Sequence, residues 1–138
     1  MGALPIFLII ALLLDEKLSI IRGLVVTTLV VSLIKFVTNQ FPENSAVFQM
    51  SRRPKGARCC DILSFDSSDQ SKQPGFPSGH MAFISYFIMC SPKDSILQVI
   101  LNVAMWLLMA HDRMTTNCHT LFQVISGSLL GIMVNKLI

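Results

Sequence analysis

Five apolar stretches constrain this chain more than any other feature, because each is long enough to form a helix that enters a bilayer. They cover residues 3–14, 18–37, 79–91, 95–110 and 119–137. A spanning helix needs about 20 residues, and shorter ones are tolerated where flanking side chains snorkel or the membrane thins. The charged run at 15–17 would cost about 2.5 to 3.5 kcal/mol per charge inside one long helix, so we expect a helical hairpin there.

Composition supports a membrane protein. With 138 residues, 52% hydrophobic, 14% charged and a mean hydropathy of +0.61, the chain is too apolar for an ordinary soluble domain. We therefore expect an all-α, polytopic membrane helix bundle of about five transmembrane helices. Residues 1–138 would form one membrane-embedded domain, an integral multi-pass protein, with a single long polar loop at about 38–76.

The positive charge is concentrated in that loop. The net charge is +3, and five basic residues fall between positions 52 and 72. A local excess of this kind indicates a binding site for an anion and argues against a nucleic-acid surface. The five residues are Arg52, Arg53, Lys55, Arg58 and Lys72.

Three short blocks meet on one side of the predicted bundle. They are Arg53-Pro54, the run 77–80 (Pro-Ser-Gly-His), and the arginine and histidine at 113 and 119. If the loop at 38–76 lies on one face, the helix at 79–91 leaves that face and the helix at 95–110 returns to it. The last helix then departs from the same face at 119. We therefore expect all three blocks to form one site at the bilayer surface.

The run 77–80 predicts a helix start that binds phosphate. Ser78 in the N-cap position leaves the backbone N–H groups of Gly79 and His80 pointing outward at the positive end of the helix dipole. Gly79 permits close backbone approach, and His80 lies where it can protonate a leaving oxygen. The plain alternative is an ordinary N-cap with an incidental surface histidine.

Arg113 and His119 bracket the turn before the last predicted helix, and Gln123 lies four residues beyond His119. Because residues four apart on a helix face the same way, Gln123 can accept a hydrogen bond from one imidazole nitrogen. The other nitrogen is then left as a lone-pair nucleophile. The alternative is a capping histidine beside a glutamine that bonds a neighbouring helix.

Arg53 and Lys35 are weaker candidates when each is considered alone. An arginine beside a membrane often contacts lipid headgroups or determines topology, and Arg52, Lys55 and Arg58 fit that role equally. Lys35 can snorkel toward the same face, or it can be a simple interfacial anchor. Arginine side chains are planar, permanently charged forks that match phosphoryl oxygens, which favours an oxyanion site.

The four cysteines match neither a C-x-x-C zinc pattern nor an evenly spaced disulfide framework. Cys59 and Cys60 are adjacent, Cys90 lies in an apolar run, and Cys118 lies at the start of the last predicted helix. We expect unpaired cysteines that mostly serve packing. A metal site built from Cys60, Asp61 and two histidines is the alternative.

Together the blocks resemble the signature of the type-2 phosphatidic-acid phosphatase superfamily, which reads K-x6-RP, then PSGH, then SR-x5-H-x3-D. The second motif is complete at 77–80, the third reads Arg113-x5-His119-x3-Gln123, and the first is present only as Arg53-Pro54. The resemblance spans residues 35–131. The end of the third motif is similar to dolichyl-diphosphatase-like members, which favours polyprenyl diphosphates, and the chain also looks like short members from large DNA viruses.

The resemblance implies a role for each matching residue. His119 would be the nucleophile that forms a phosphohistidine, and His80 the acid that protonates the leaving group. Arg53 and Arg113 would clamp the phosphoryl oxygens, so that no metal or other cofactor is required. Further phosphate-binding residues would be Ser78, Gly79 and Lys35.

The chain departs from the family pattern at three places. The first-motif lysine falls on Ala46, and Lys35 replaces it only if residues 36–52 loop back. The serine before the third-motif arginine is Asp112. The family aspartate after the nucleophile is Gln123, and a neutral amide stabilises an imidazolium less than a carboxylate does.

Two classes of function stay open at this stage. The first is an integral-membrane phosphatase that hydrolyses a lipid phosphate or polyprenyl diphosphate, with membrane lipids as its other partners. The alternative is a catalytically decayed, non-enzymatic membrane protein of the same family. Retention of both histidines and both arginines favours activity, while the missing lysine and the glutamine in place of aspartate favour decay. A vanadate-dependent oxidase is a distant third.

Overall fold

A computed structural model describes residues 17–58, 60 and 68–138, and the predicted helix at 3–14 lies outside these described residues. The described part is all-helical and has no strand, which confirms the all-α prediction there. An isolated bridge pairs Arg52 with Pro74. The helices are α1 (Lys17–Asn39), α2 (Ala46–Ser51), α3 (Gly79–Cys90), α4 (Ile96–Thr115) and α5 (Leu121–Leu137).

Helix α4 runs one turn beyond its predicted end at residue 110. The hydroxyl of Thr115 donates to the carbonyl of His111, and the hydroxyl of Thr116 donates to the carbonyl of Asp112. These bonds satisfy carbonyls that a helix end otherwise leaves unpaired. Arg113 therefore lies on the last turn of α4 and not in the connecting turn.

Helix α5 begins two residues later than predicted. Thr120 is its N-cap, and the side chains of Thr120 and Gln123 form a reciprocal capping box. His119 therefore lies in the turn just before the helix. The six-residue helix α2, capped by Ser45, was not predicted inside the polar loop.

Helix α3 is central and packs most extensively against α5, with further contacts to α1 and α4. Two glycines allow the close approach. A Cβ atom at Gly127 would lie 2.3 Å from the carbonyl oxygen of Ser78, and one at Gly131 would lie 2.1 Å from that of Ala82. The small residues four apart on α5 therefore set the distance between α3 and α5.

By length and apolar character, one described helix, Ser19–Asn39 within α1, is able to cross a membrane. Helices α3 and α5 are apolar but have only 12 and 17 residues. The predicted number of spans is therefore not confirmed. Large apolar side chains nevertheless cover the outer faces of α1, α4 and α5, including Leu29, Leu33, Phe36, Ile100, Leu108, Leu129 and Met133.

The expectation of unpaired cysteines was wrong for two of them. Cys60 and Cys118 form a disulfide with a Cα–Cα distance of 5.5 Å, and Cys90 is free. The two positions are 58 residues apart and meet only because the polar loop folds back over the start of α5, which spacing does not reveal. A crosslink over such a loop stabilises a chain by roughly 4 kcal/mol in the chain-entropy account.

We predict that Gly127→Ala and Gly131→Ala each lower stability. The added methyl group meets backbone atoms of α3 that cannot move aside, and overpacking of this kind costs about 1–3 kcal/mol. Thermal unfolding in detergent, followed by circular dichroism, measures the effect. Val25→Ile adds a methyl group on the exposed face of α1 and serves as the control. Unfolding temperatures equal to wild type in both glycine variants would refute the packing account.

Candidate active site

His80 lies in the first turn of α3, below the cap made by Ser78. The Ser78 hydroxyl oxygen accepts from the backbone N–H of Met81, which orders the helix start. The His80 side chain is buried, and its Nε2 atom has no hydrogen-bond partner among the described residues. Leaving a buried polar atom without a partner is unfavourable, so His80 Nε2 has capacity for a further hydrogen bond.

His119 is held in the turn between α4 and α5. The backbone N–H groups of Cys118 and His119 both donate to the carbonyl of Arg113, at 3.1 and 3.2 Å. The ring of His119 is buried, and its Nδ1 lies 3.3 Å from Oε1 of Gln123. The predicted contact between His119 and Gln123 is therefore present, although His119 lies before the helix and Gln123 reaches it through the capping box.

The amide of Gln123 determines which nitrogen of His119 carries the proton. Its Nε2 donates to the carbonyls of Met50 and Arg52, at 3.0 and 2.8 Å. Those two bonds turn the amide oxygen toward His119, where it also accepts from the backbone N–H of Thr120. An oxygen only accepts, so Nδ1 of His119 is the protonated nitrogen and Nε2 keeps its lone pair.

Arg53 is buried and reaches the site from the polar loop. Its Nη1 donates to Oε1 of Gln70 at 3.0 Å and to Oε1 of Gln73 at 3.3 Å. Its backbone N–H donates to the carbonyl of Gln73. These two acceptors are neutral amides, and they orient the guanidinium.

Arg113 is 2% exposed, and three of its five N–H donors bond to acceptors among the described residues. Its Nε donates to Oδ2 of Asp112 at 2.9 Å, and Nη2 contacts the same oxygen. Its Nη1 donates to the carbonyl of Cys60 at 3.3 Å. The other two N–H groups bond to no acceptor in the part of the chain that the structure describes, and a pair of donors of this kind matches the oxygens of a phosphoryl group. Asp112, which stands where the family has serine, therefore orients this arginine.

Three cations act on the two histidines. The charges of Lys35, Arg53 and Arg113 influence both rings, and each ring lies close enough to the other for an electrostatic interaction. Burial, followed by Lys35 and Arg53, lowers the pKa of His119 from 6.5 to about 3, against a smaller opposite effect of Gln123. His119 is therefore neutral at pH 7, the form that its predicted role as nucleophile requires.

Lys35 is near the histidines because the chain turns back on itself. Helix α1 ends at Asn39, and α2 packs against it before the chain returns to Arg53. This is the loop-back of residues 36–52 that a replacement for the first-motif lysine would require. Gly79, in contrast, is not required by protein packing, since a Cβ there would make an ordinary 3.6 Å contact with Val31.

Sequence reasoning missed Gly75, Gln70 and Gln73. A Cβ at Gly75 would lie 2.8 Å from Oε1 of Gln123 and 2.9 Å from Cγ of Arg53, so only glycine fits between these side chains. The two glutamines orient Arg53. The sequence does show a glycine shortly before the 77–80 run. The contacts that require glycine at this position form only in the folded protein.

The alternative metal site, built from Cys60, Asp61 and two histidines, loses one of its predicted ligands. The sulfur of Cys60 is bonded to Cys118 and is no longer a thiolate, and Asp61 lies outside the described residues. Within residues 17–58, 60 and 68–138, no three histidine, cysteine, aspartate or glutamate side chains form a metal-binding group. Metal independence of the reaction stays a prediction.

The family model of the type-2 phosphatidic-acid phosphatase (PAP2) superfamily matches residues 16–138, which include every residue of this site. The chain belongs to the PAP2 superfamily. PAP2 members are phosphoesterases and phosphatases and are typically associated with membranes. Neither a curated protein nor a solved structure matches the chain significantly.

We predict that the His119 ring stays neutral well below pH 6.5, with its proton on Nδ1. Burial and the nearby cations disfavour the imidazolium, so Lys35→Met should raise the pKa of His119. Nitrogen-15 spectra of histidine-labelled protein in detergent distinguish the two ring nitrogens and their titration. His111, exposed on α4, is the internal reference, and His111→Gln assigns its signals. A His119 ring that titrates near 6.5, or that is protonated on Nε2, would contradict this account.

Proposed function

We propose that this protein is an integral, multi-pass membrane enzyme that hydrolyses lipid phosphates or diphosphates without a metal, through a phosphohistidine at His119. The observation that carries the proposal is the arrangement of two buried imidazoles within the field of three cations. Such a pocket is complementary to a tetrahedral anion flanked by a nucleophile and an acid. Membership of the PAP2 superfamily supports the reaction class.

The first step is binding of the phosphoryl group at the start of α3. Backbone N–H groups in the first turn and the helix dipole favour an anion there, and the Ser78 hydroxyl still has its proton to donate. Arg53 and Arg113 supply forked donors to the non-bridging oxygens. Lys35 adds a third positive charge, in the role of the family lysine.

In the second step the Nε2 lone pair of His119 attacks phosphorus, and the bond to the leaving oxygen breaks. His80 donates a proton to that oxygen, which leaves as the lipid alcohol or the lipid monophosphate. The negative charge of the bound phosphoryl group favours the protonated form of His80. Water then attacks the phosphohistidine, His80 takes up its proton, and inorganic phosphate is released as the P–N bond breaks.

An apolar cavity beside the site supports a lipid substrate. It has a volume of about 170 Å³ and lies next to Gln123, where the rings of Phe76 and Phe122 stack with centroids 5.4 Å apart. In this proposal the hydrocarbon chain of the substrate packs in the cavity, an apolar contact that polar phosphate esters do not need. The cavity is lined by Thr38, Val47, Met50, Ser51, Phe76 and Phe122.

The alternative, a decayed and non-enzymatic member of the family, rests on Ala46 and Gln123. Two observations speak for activity instead. The positive charge of Lys35 acts on both histidines, as a replacement for the first-motif lysine must. Gln123 retains a bond to the nucleophile and adds two bonds to the loop that carries Arg53.

We predict that purified protein in detergent releases phosphate from polyprenyl diphosphate in the presence of EDTA. His80→Ala should lose about 10²–10⁴-fold in rate, the usual contribution of a general acid, and His119→Ala should lose more. His111→Ala is the matched control, since this third histidine is exposed on α4.

The outcomes separate the alternatives. Loss of activity in EDTA would overturn the metal-free mechanism. Wild-type protein that hydrolyses none of a panel of lipid phosphates and diphosphates would favour the decayed member. Equal rates for His119→Ala and wild type would exclude His119 as the nucleophile.

A second prediction concerns Gln123. Restoring a carboxylate with Gln123→Glu removes the N–H donors that hold the carbonyls of Met50 and Arg52 and places negative charge beside them. We expect a lower kcat and a higher KM, by roughly 10-fold or more in kcat/KM, because Arg53 shifts with its loop. Gln98→Glu, in the capping box of α4, is the control. Higher activity in Gln123→Glu would show that the amide is only a weakened aspartate.

A further inference from the structure

The Cys60–Cys118 disulfide lies directly against the phosphoryl site. Cys118 precedes His119 in the chain, and Cys60 lies in the polar loop that also carries Arg53. The two cysteines are almost fully buried and form, with Ala57, a small cluster separate from the main core of the helices. The crosslink therefore joins parts of the site and not the packed faces of the helices.

On the loop side, the backbone of Cys60 connects the two arginines. Its carbonyl accepts from Nη1 of Arg113 at 3.3 Å. Its N–H donates to Oε1 of Gln70 at 3.0 Å, and the same oxygen accepts from Nη1 of Arg53 at 3.0 Å. A displacement of Cys60 therefore moves an acceptor of each guanidinium.

On the helix side, the backbone of Cys118 is tied to Arg113 and the nucleophile. The N–H groups of Cys118 and His119 both donate to the carbonyl of Arg113. The links form a closed ring that runs from the Arg113 side chain to Cys60, across the disulfide to Cys118, and back to the Arg113 backbone. The disulfide is the covalent crosslink in this ring. Apart from the polypeptide backbone, the other links are hydrogen bonds.

We infer that Cys60 and Cys118 are positioning residues for the hydrolysis, and that their disulfide holds Arg113, Arg53 and His119 in the geometry that binds the phosphoryl group. This inference rests on the proposed function. A dithiol reductant would break the S–S bond by giving two electrons and two protons to the sulfurs, which become two thiols, while the reductant closes to a cyclic disulfide. Cys60 would then keep its backbone hydrogen bonds to Arg113 and Gln70 but lose its covalent link to Cys118.

The test compares oxidised protein, protein reduced with dithiothreitol, and the double variant Cys60→Ser with Cys118→Ser. Alkylation and intact-mass measurement establish that two additional thiols appear on reduction. For each form, kcat, KM for polyprenyl diphosphate and inhibition by vanadate, a mimic of the transferring phosphoryl group, are measured well below the unfolding temperature. Cys90→Ser, the free cysteine on α3, is the control and should behave as wild type.

We expect reduction to lower kcat/KM and weaken vanadate inhibition by about 10-fold to 100-fold, with the helical circular dichroism unchanged. Reoxidation of the reduced wild type should restore both. Unchanged kcat/KM and vanadate affinity in folded, fully reduced protein would overturn the inference and leave the disulfide a purely stabilising crosslink. If the oxidised wild type releases no phosphate, the proposed function fails, and vanadate binding by the oxidised and reduced forms alone decides the inference.

Discussion

The close packing of α5 on the backbone of α3 is the contact on which the site depends. Gly127 and Gly131 let the two helices approach until a side chain would strike the Ser78 and Ala82 carbonyls. At that distance the backbone N–H of Ser78 donates to the carbonyl of Gln123, which ties the start of one helix to the first turn of the other. Both histidines belong to these two helix starts, so helix packing alone brings them to one end of the bundle.

Gln123 then joins this helical frame to the loop. Its oxygen holds the protonated nitrogen of His119, and its nitrogen holds two carbonyls beside Arg53. A carboxylate has no N–H to offer those carbonyls, which gives a physical reason for an amide where the family has aspartate. The cost is a less stabilised imidazolium, but His119 is kept neutral before the reaction by burial and nearby cations. In the proposed reaction, Lys35, Arg53 and Arg113 neutralise the charge of the phosphoryl group.

Sequence patterns predicted the structural features that depend on residues close together in the chain. The apolar stretches predicted four helices with ends at most five residues from those observed, and the Ser78 cap was readable from its neighbours. The contact between His119 and Gln123 was predicted, but it forms through the capping box and not along one helix face. Contacts made by the polar loop were not readable, because loops are specified by tertiary contacts and not by periodicity. The disulfide of Cys60 and the close fit of Gly75 both belong to that loop. The extension of α4 through Arg113 was missed because two threonine hydroxyls complete its end.

The central claim is that His119 becomes covalently phosphorylated. The most direct measurement is rapid quenching of the enzyme mixed with lipid diphosphate labelled in its terminal phosphate, followed by peptide mapping of the trapped label. The account predicts a label that is stable in alkali, labile in acid, confined to the peptide containing His119, and absent from His119→Ala. A label on another residue, or turnover with no trapped phosphoprotein even when His80→Ala slows hydrolysis of the intermediate, would contradict it.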